Sequence, residues 1–346
     1  MAAVRLAVVT NPGGRRARLF ADAVRAAGLP PAVEIPWRRL AAGETPGIPR
    51  GALVRIDSPD GDAEVDRLLR GDAEPAEHGE IRSGEAWYAG FTKALERLGG
   101  TLLNDPAELA VLFDKRRCHA VLTSAGVPVP EAAPPLSGYA DLRGEMWGAG
   151  WSRVFIKPPH GSSASGVIAF EQAGRRLVAT TSVEVSGGRL YNSLTVRRYT
   201  DEATVRYIVD RLGPLHVERW YPKAGLGGRT VDLRVVVIGG EPTHVVVRAS
   251  RHPMTNLHLG AQRGDVAAVR RAAGEEQWAA AMETCARAAA QFPGCLQVGV
   301  DLMFASNWRR HAVAEVNAFG DLLPGLLNEH GRDTYAEQVH RLVARC

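Results

Sequence analysis

Two runs near the C-terminal end, "LQVGVDLMF" at 296–304 and "HAVAEVNAF" at 311–319, are apolar enough to be buried strands, yet they carry Asp301, Glu315 and Asn317. A polar turn, "ASNWRR", joins them, so they are expected to pair as a hairpin. Side chains at i and i+2 of a strand point to one face, so Glu315 and Asn317 converge, and Asp301 joins them once the strands pair. An acid inside "VGVDLMF" costs free energy unless something compensates it. Two carboxylates and an amide oxygen make a hard-oxygen set suited to Mg²⁺. The plainer alternative is an ordinary polar strand face.

A second constellation is "VFIKPPHGSSASGV" at 154–167. A strand carries Lys157, and after Pro-Pro-His comes a run of small residues: Gly161, Ser162, Ser163, Ala164, Ser165 and Gly166. Such a loop is costly to hold rigid. Its use is that backbone N–H groups and hydroxyls can approach an anion closely, polyphosphate being the usual one, while closure excludes water. Lys157 would add a point charge. The alternative is a mobile hairpin with a snorkelling lysine. Neither GxxxxGK[ST] nor GxGxxG is present here.

The third is "VDLRVVVIGGEPTHVVVRAS" at 231–250, a hairpin turning near "GGEP". It sets Arg234 and Arg248 on its two arms, where they could grip a phosphate or carboxylate bidentately. Ordinary solvated arginines are the other reading, since the chain has many. "TNLHLGAQRGD" follows, with Asn256 and His258 in a Gly-bounded loop.

The rest of the pattern frames these pieces. "VRLAVVT" and "GALVRID" read as strands, and "RRARLFADAVRAAG" and "DAEVDRLLR" as helices, predicting a small open α/β unit over 1–104. "NDPAELAVLFDKRRCHAVLTSAG" reads as one helix, with Asp105 as N-cap, Pro106 at its first position and Gly126 at its end. Strands at "SRVFIKP", "GVIAFEQ" and "LHVERWY", helices at "DEATVRYIVDRLG" and "EEQWAAAMETCARAAAQF", and a last helix at 333–344 make the second half α+β. Further divisions are expected at 105–214 and 215–346. Hydrophobic residues make up 45% of the 346, enough for a real core. A net charge of +4 from scattered arginines indicates no nucleic-acid surface. No apolar run approaches the ~20 residues of a membrane span, and the opening "MAAVRLAVVTNPGG" is too short for a secretory signal core, so a cytoplasmic protein is expected. Cys118, Cys285, Cys295 and Cys346 form no CxxC pair and read as reduced thiols.

Taken in order, these residues resemble the ATP-grasp superfamily, which includes ribosomal-protein glutamate ligases, glutathione synthetases and D-alanine–D-alanine ligases. The resemblance covers about 105–330, with the preceding unit similar to the family's N-terminal domain. It implies an ATP-grasp fold, α/β and α+β, with nucleotide held between two α+β subdomains. "FDKRRCHAVLTSAGVPVP" is similar to the first lysine helix and casts Lys115 on the nucleotide phosphates, with Lys157 and the 161–166 loop. "HVERWYPKAG" resembles the hinge, where backbone near Glu218, Arg219 and Trp220 would meet adenine and Glu218 or Lys223 would touch base or ribose. "DLR…VVVR…NLHLG" puts Arg234, Arg248 and Asn256 near the γ-phosphate and acyl phosphate, and "GVDL…EVN" matches the metal triad Asp301, Glu315 and Asn317. Two departures stand out: "EVNAFGDLLPG" where many relatives read "EVNxxPG", and Ala261 where "NLHxGG" has a second glycine.

The resemblance implies an ADP-forming carboxylate–amine ligase using ATP and Mg²⁺, or Mn²⁺ in its place. A substrate carboxylate would become an acyl phosphate and an amine would displace phosphate. The partner would be a small molecule, an amino acid or a peptide, and dimerisation is common among such ligases. Rival readings are an ATP-grasp kinase that stops at the phosphorylated product and a non-catalytic ATP-binding regulator. "VVTNPGGRR" also resembles the "NPxxG" segment of lipid and NAD kinases, but their "GGDG" is absent. "NPGG", "RIDSPDGD" and "IRSGEAW" are candidate substrate contacts, with plain loops as the alternative.

Overall fold

The computed structural model describes residues 4–162, 164–319 and 323–344. Ser163 and the 320–322 part of "EVNAFGDLLPG" therefore lie outside the described residues, as does Cys346.

The first hundred residues run β1 (Leu6–Thr10), α1 (Arg15–Ala26), β2 (Val33–Pro36), α2 (Trp37–Ala41), β3 (Leu53–Ile56), α3 (Ala63–Arg70), α4 (Gly84–Leu95) and β4 (Thr101–Leu102). The strands form a parallel sheet in the order β2-β1-β3-β4. The apolar runs of β1 and β3 belong to such a sheet, whose strands are covered on both faces.

The 105–126 segment departs from the single helix expected of it. It forms α5 (Pro106–Leu112) and α6 (Lys115–Ser124), broken at Phe113-Asp114. Asp114 accepts from the backbone N–H of Arg116 and Arg117, so it caps a new helix instead of continuing the old one. The break puts Lys115 at the first position of α6, with its own N–H donating to Pro159 O at 3.0 Å.

Next come α7 (Tyr139–Gly148), β5 (Arg153–Lys157), β6 (Ile168–Ala173), β7 (Arg176–Ser186), β8 (Arg189–Tyr199), α8 (Glu202–Arg211) and β9 (His216–Arg219). Their sheet is antiparallel, in the order β8-β7-β6-β5-β9. The patterning above assigned no element to 176–199. That hairpin turns at Gly187-Gly188, both at positive φ, the conformation a two-residue hairpin turn demands.

The last part holds β10 (Gly225–Leu226), β11 (Arg229–Ile238), β12 (Glu241–Ser250), β13 (Gln262–Gly264), α9 (Val266–Ala273), α10 (Glu275–Ala289), β14 (Gln297–Phe304), β15 (His311–Asn317) and α11 (Thr334–Ala344). Strand order is β13-β12-β11-β14-β15, with β10 on β11. The expected hairpins, β11–β12 and β14–β15, both form. One apolar core joins the parallel sheet, α5, α6 and α10 to this sheet. A separate core lies between the β5–β9 sheet and helices α7 and α8. The cleft runs between these two bodies.

Candidate active site

Register puts the carboxylates together. Asp301 on β14 pairs directly with Glu315 on β15, and Gly299 pairs with Asn317, so the three side chains share one face as i, i+2 alternation requires. On β11, Arg234 pairs with Asp301 across the sheet. Arg248 on β12 pairs with Asp232 on β11.

The result is a continuous chain of charges. Lys223 Nζ donates to Asp232 Oδ2 (3.0 Å) and to Thr255 Oγ1 (3.0 Å), and Thr255 donates to Asp232. Arg248 Nε donates to Asp232 Oδ1 at 2.7 Å, while its Nη2 lies 3.2 Å from Asp301 Oδ2. Arg234 clasps the other side of Asp301. Burial alone would raise the carboxyl pKa values of Asp232 and Asp301; the facing cations outweigh it and both are held below the ordinary range. The compensation that Asp301 needs is here supplied by two guanidiniums.

A second buried group lies opposite. Lys157 Nζ donates to both oxygens of Glu218, each at 2.8 Å, and reaches Ala314 O at 3.4 Å. His216 Nε2 is 2.8 Å from Glu218 Oε1. Burial would push the Glu218 carboxyl up, but Lys157 and His216 hold it down at about 2. Burial likewise opposes the Lys157 charge, and Glu218, Glu315 and Asp301 overcome it, raising its pKa. Lys115, placed by the break between α5 and α6, donates to Gly161 O at 2.8 Å and lies 3.1 Å from Glu315 Oε1.

These groups line one cleft with about 930 Å³ of free space. Lys115, Lys157, Gly161, Ser162, Ala164, Ser165, Glu218, Arg219 and Lys223 all face it. So do Arg234, Arg248, Asn256, Asp301, Glu315 and Asn317. Two expected residues do not. Gly166 has φ +72°, and a Cβ there would come within 2.6 Å of Pro158 Cγ, so this glycine lets the loop return onto β6. Trp220 packs its ring on Phe155, centroids 4.8 Å apart, and faces a different cleft. The backbone N–H groups of Arg219 and Trp220 are already given to Glu131 O and Arg153 O. The hinge thus meets the cleft through the side chains of Glu218, Arg219, Tyr221 and Lys223, beside Phe155 of β5, and the Tyr221 hydroxyl is buried with no hydrogen-bond partner among the described residues. His160 bonds Phe113 O through Nδ1 and stacks on Tyr88 outside the cleft, a satisfied loop histidine.

Asp232, Thr255 and the apolar wall of Phe155, Met254 and Met303 were not singled out from sequence. Asp232 was within reach: it stands two before Arg234 on the same strand. Thr255 and the methionines carried no signal, because only folding brings them in.

Asp301, Glu315 and Asn317 offer oxygen donors on one face, a chemistry that fits a hard divalent cation. Among the described residues no group of three His, Cys, Asp or Glu could hold a metal by itself. A cation here would need the amide and outside oxygens such as phosphate.

No family model and no curated protein matches the sequence. Solved structures do match over nearly the full length. The ATP-grasp ligase PsnB complexed with a minimal precursor is 18% identical, with 99% of each chain covered and a TM-score of 0.56. D-cycloserine synthetase DcsG is 17% identical, covering 98% of this chain and 99% of its own, with a TM-score of 0.58. D-alanine–D-alanine ligase from Bacillus anthracis, complexed with ATP, is 13% identical, covering 99% and 97%, with a TM-score of 0.54.

Proposed function

The chain has the ATP-grasp fold, and from that fold and the charges in its cleft we propose an ATP-dependent, ADP-forming ligase that joins a carboxylate to an amine. One observation carries the reading: buried and half-buried cations from α6, β5, β11 and β12 and the Asp301–Glu315–Asn317 face meet in a single cleft that also has an apolar wall of Phe155, Met254 and Met303. Phosphoryl transfer needs positioning and charge neutralisation more than covalent help, and this cleft offers both.

In this reading Phe155, Met254 and Met303 flank adenine, and Tyr221 with Lys223 meets the base or ribose. Lys157, whose amine is fixed by Glu218, and Lys115 contact the phosphates. The loop from Gly161 to Gly166 covers them. Arg234 and Arg248 orient the γ-phosphate and the carboxylate it is transferred to, with Asn256 at the same end. Transfer gives an acyl phosphate, and an amine displaces phosphate to leave the amide. Asp301, Glu315 and Asn317 would hold Mg²⁺, which when bound offsets phosphate charge.

The test is ADP release from Mg-ATP with pooled carboxylates, with and without pooled amines, and with hydroxylamine to trap acyl phosphate as a hydroxamate. Carboxylate-dependent ADP release, a trapped hydroxamate, and a loss of at least a hundredfold in Asp301→Ala are expected. No Mg-ATP binding, or undiminished turnover in Asp301→Ala, would sink the reading.

A further inference from the structure

The cleft opens at its phosphate-transfer end into a second cavity with about 1460 Å³ of free space. The two share Lys115, Arg234, Arg248, Asn256, Glu315 and Asn317. A substrate activated there would extend into this second space.

Its charges are unevenly compensated. Arg234 and Arg248 are paired with Asp232 and Asp301, and Lys115 with Glu315. Arg15 and Arg16, on the first turn of α1, also line the cavity. Among the described residues neither side chain makes an ion pair or hydrogen bond, in contrast to Lys115, Arg234 and Arg248 on the same wall. No acid stands in the first turn of α1 to offset them. Gly14 N donates to Asn11 O at 3.0 Å, closing the turn that starts the helix, and a Cβ at Gly14 would meet that oxygen at 2.9 Å. Asn11 Nδ2 donates to Pro59 O (3.0 Å) and Asp60 O (3.2 Å), so the loops after β1 and β3 form one wall. Asp60 lines the cavity too and has no ion pair among the described residues.

The guanidiniums of Arg15 and Arg16 are each a planar, multidentate donor suited to a carboxylate. They are separate from the pair that would orient the reacting carboxylate. We propose that the substrate carries a second carboxylate, held by Arg15 and Arg16, and that Asp60 accepts an ammonium of the same molecule. The substrate class is a dicarboxylic acid, an acidic amino acid being the fullest match. The inference rests on the ligase reading for which carboxylate reacts, but its binding test does not need turnover.

The test is calorimetric titration of the full chain, loaded with Mg-AMPPNP, with glutarate and glutamate against the one-carboxylate partners butyrate and 4-aminobutyrate. Diacids are expected to bind at least tenfold more tightly than their partners, and glutamate more tightly than glutarate. R15Q/R16Q should abolish the diacid preference while Mg-AMPPNP still binds, and R15K/R16K should restore part of it. Equal affinity for mono- and diacids, no binding of either, or a preference that survives R15Q/R16Q overturns the proposal. Diacid binding without ADP release for any amine would sink the ligase reading alone. ADP release equally good with monoacids would sink the diacid site alone.

Discussion

The pair Lys157–Glu218 shows how single residues are tuned here. An ammonium and a carboxylate are taken almost wholly out of water, which each alone could not afford. They face each other across β5 and β9, where Phe155 pairs with Glu218 and Lys157 with His216. Removing one partner strands the other. Glu218→Ala is expected to lower unfolding stability by about 3–5 kcal/mol, read by urea denaturation. Glu218→Gln, which keeps the shape and an oxygen acceptor, should cost less. A loss below about 1 kcal/mol in Glu218→Ala would mean that the pair behaves like a surface ion pair. Asp232 belongs at the same scale: its position two before Arg234 was a legible sign that both point to one face.

Among the elements, the break between α5 and α6 matters most for the site. Asp114 is buried, and its side chain holds two backbone N–H groups and the Arg116 guanidinium. Without it nothing local opposes a helix running straight through, because the flanking residues favour one. Asp114→Ala is expected to cost about 1–2 kcal/mol of stability. Because Lys115 follows it directly, binding of Mg-ATP should also weaken several-fold, as followed by calorimetry. Unchanged nucleotide affinity in a variant that loses the expected stability would show that the cap serves the helix and not the lysine.

For the whole molecule, acid is the informative perturbant. Glu337 on α11 is clasped by Arg332, Arg341 and Asn328, and like Glu218 it is held at about 2 against burial. Both pKa values are lower in the folded chain than in the unfolded one. Their contribution to stability is therefore fully present above the ordinary glutamate value, about 4.3, and is lost as pH falls through it toward 2. Urea midpoints are expected to drop steadily between about pH 4.5 and pH 2, and Glu337→Gln should flatten that slope. Stability that rises on acidification across this window would refute the assignment. Beyond this clasp, α11 packs on α1, and Arg55 lies between the rings of Phe20 and Tyr335 with its guanidinium 4.7 and 5.4 Å from their centroids, so α11 is bound to the parallel-sheet part of the chain.

Much of this was legible in the sequence because it is local. Strand alternation put Glu315 and Asn317 on one face, Asp105 and Pro106 started a helix, and a lysine strand running into a small-residue loop marked a wall of the cleft. The double hairpin around Arg234, Arg248, Asp301 and Glu315 was also readable, since short polar turns join neighbouring strands. Three things were decided only in three dimensions. The pairing of Asp301 with two arginines depends on β11 lying between β12 and β14, an order that no turn dictates. Trp220 turned away from the cleft because Phe155 took the wall position in front of it. Arg15 and Arg16, unremarkable on an amphipathic helix, line a cavity without an ion pair among the described residues, because the loops after β1 and β3 close against each other beside residues about 230 positions further on. Local patterning is set by a period of two or 3.6 residues; which faces meet, and which charges are left without a partner, is set by packing across the whole chain.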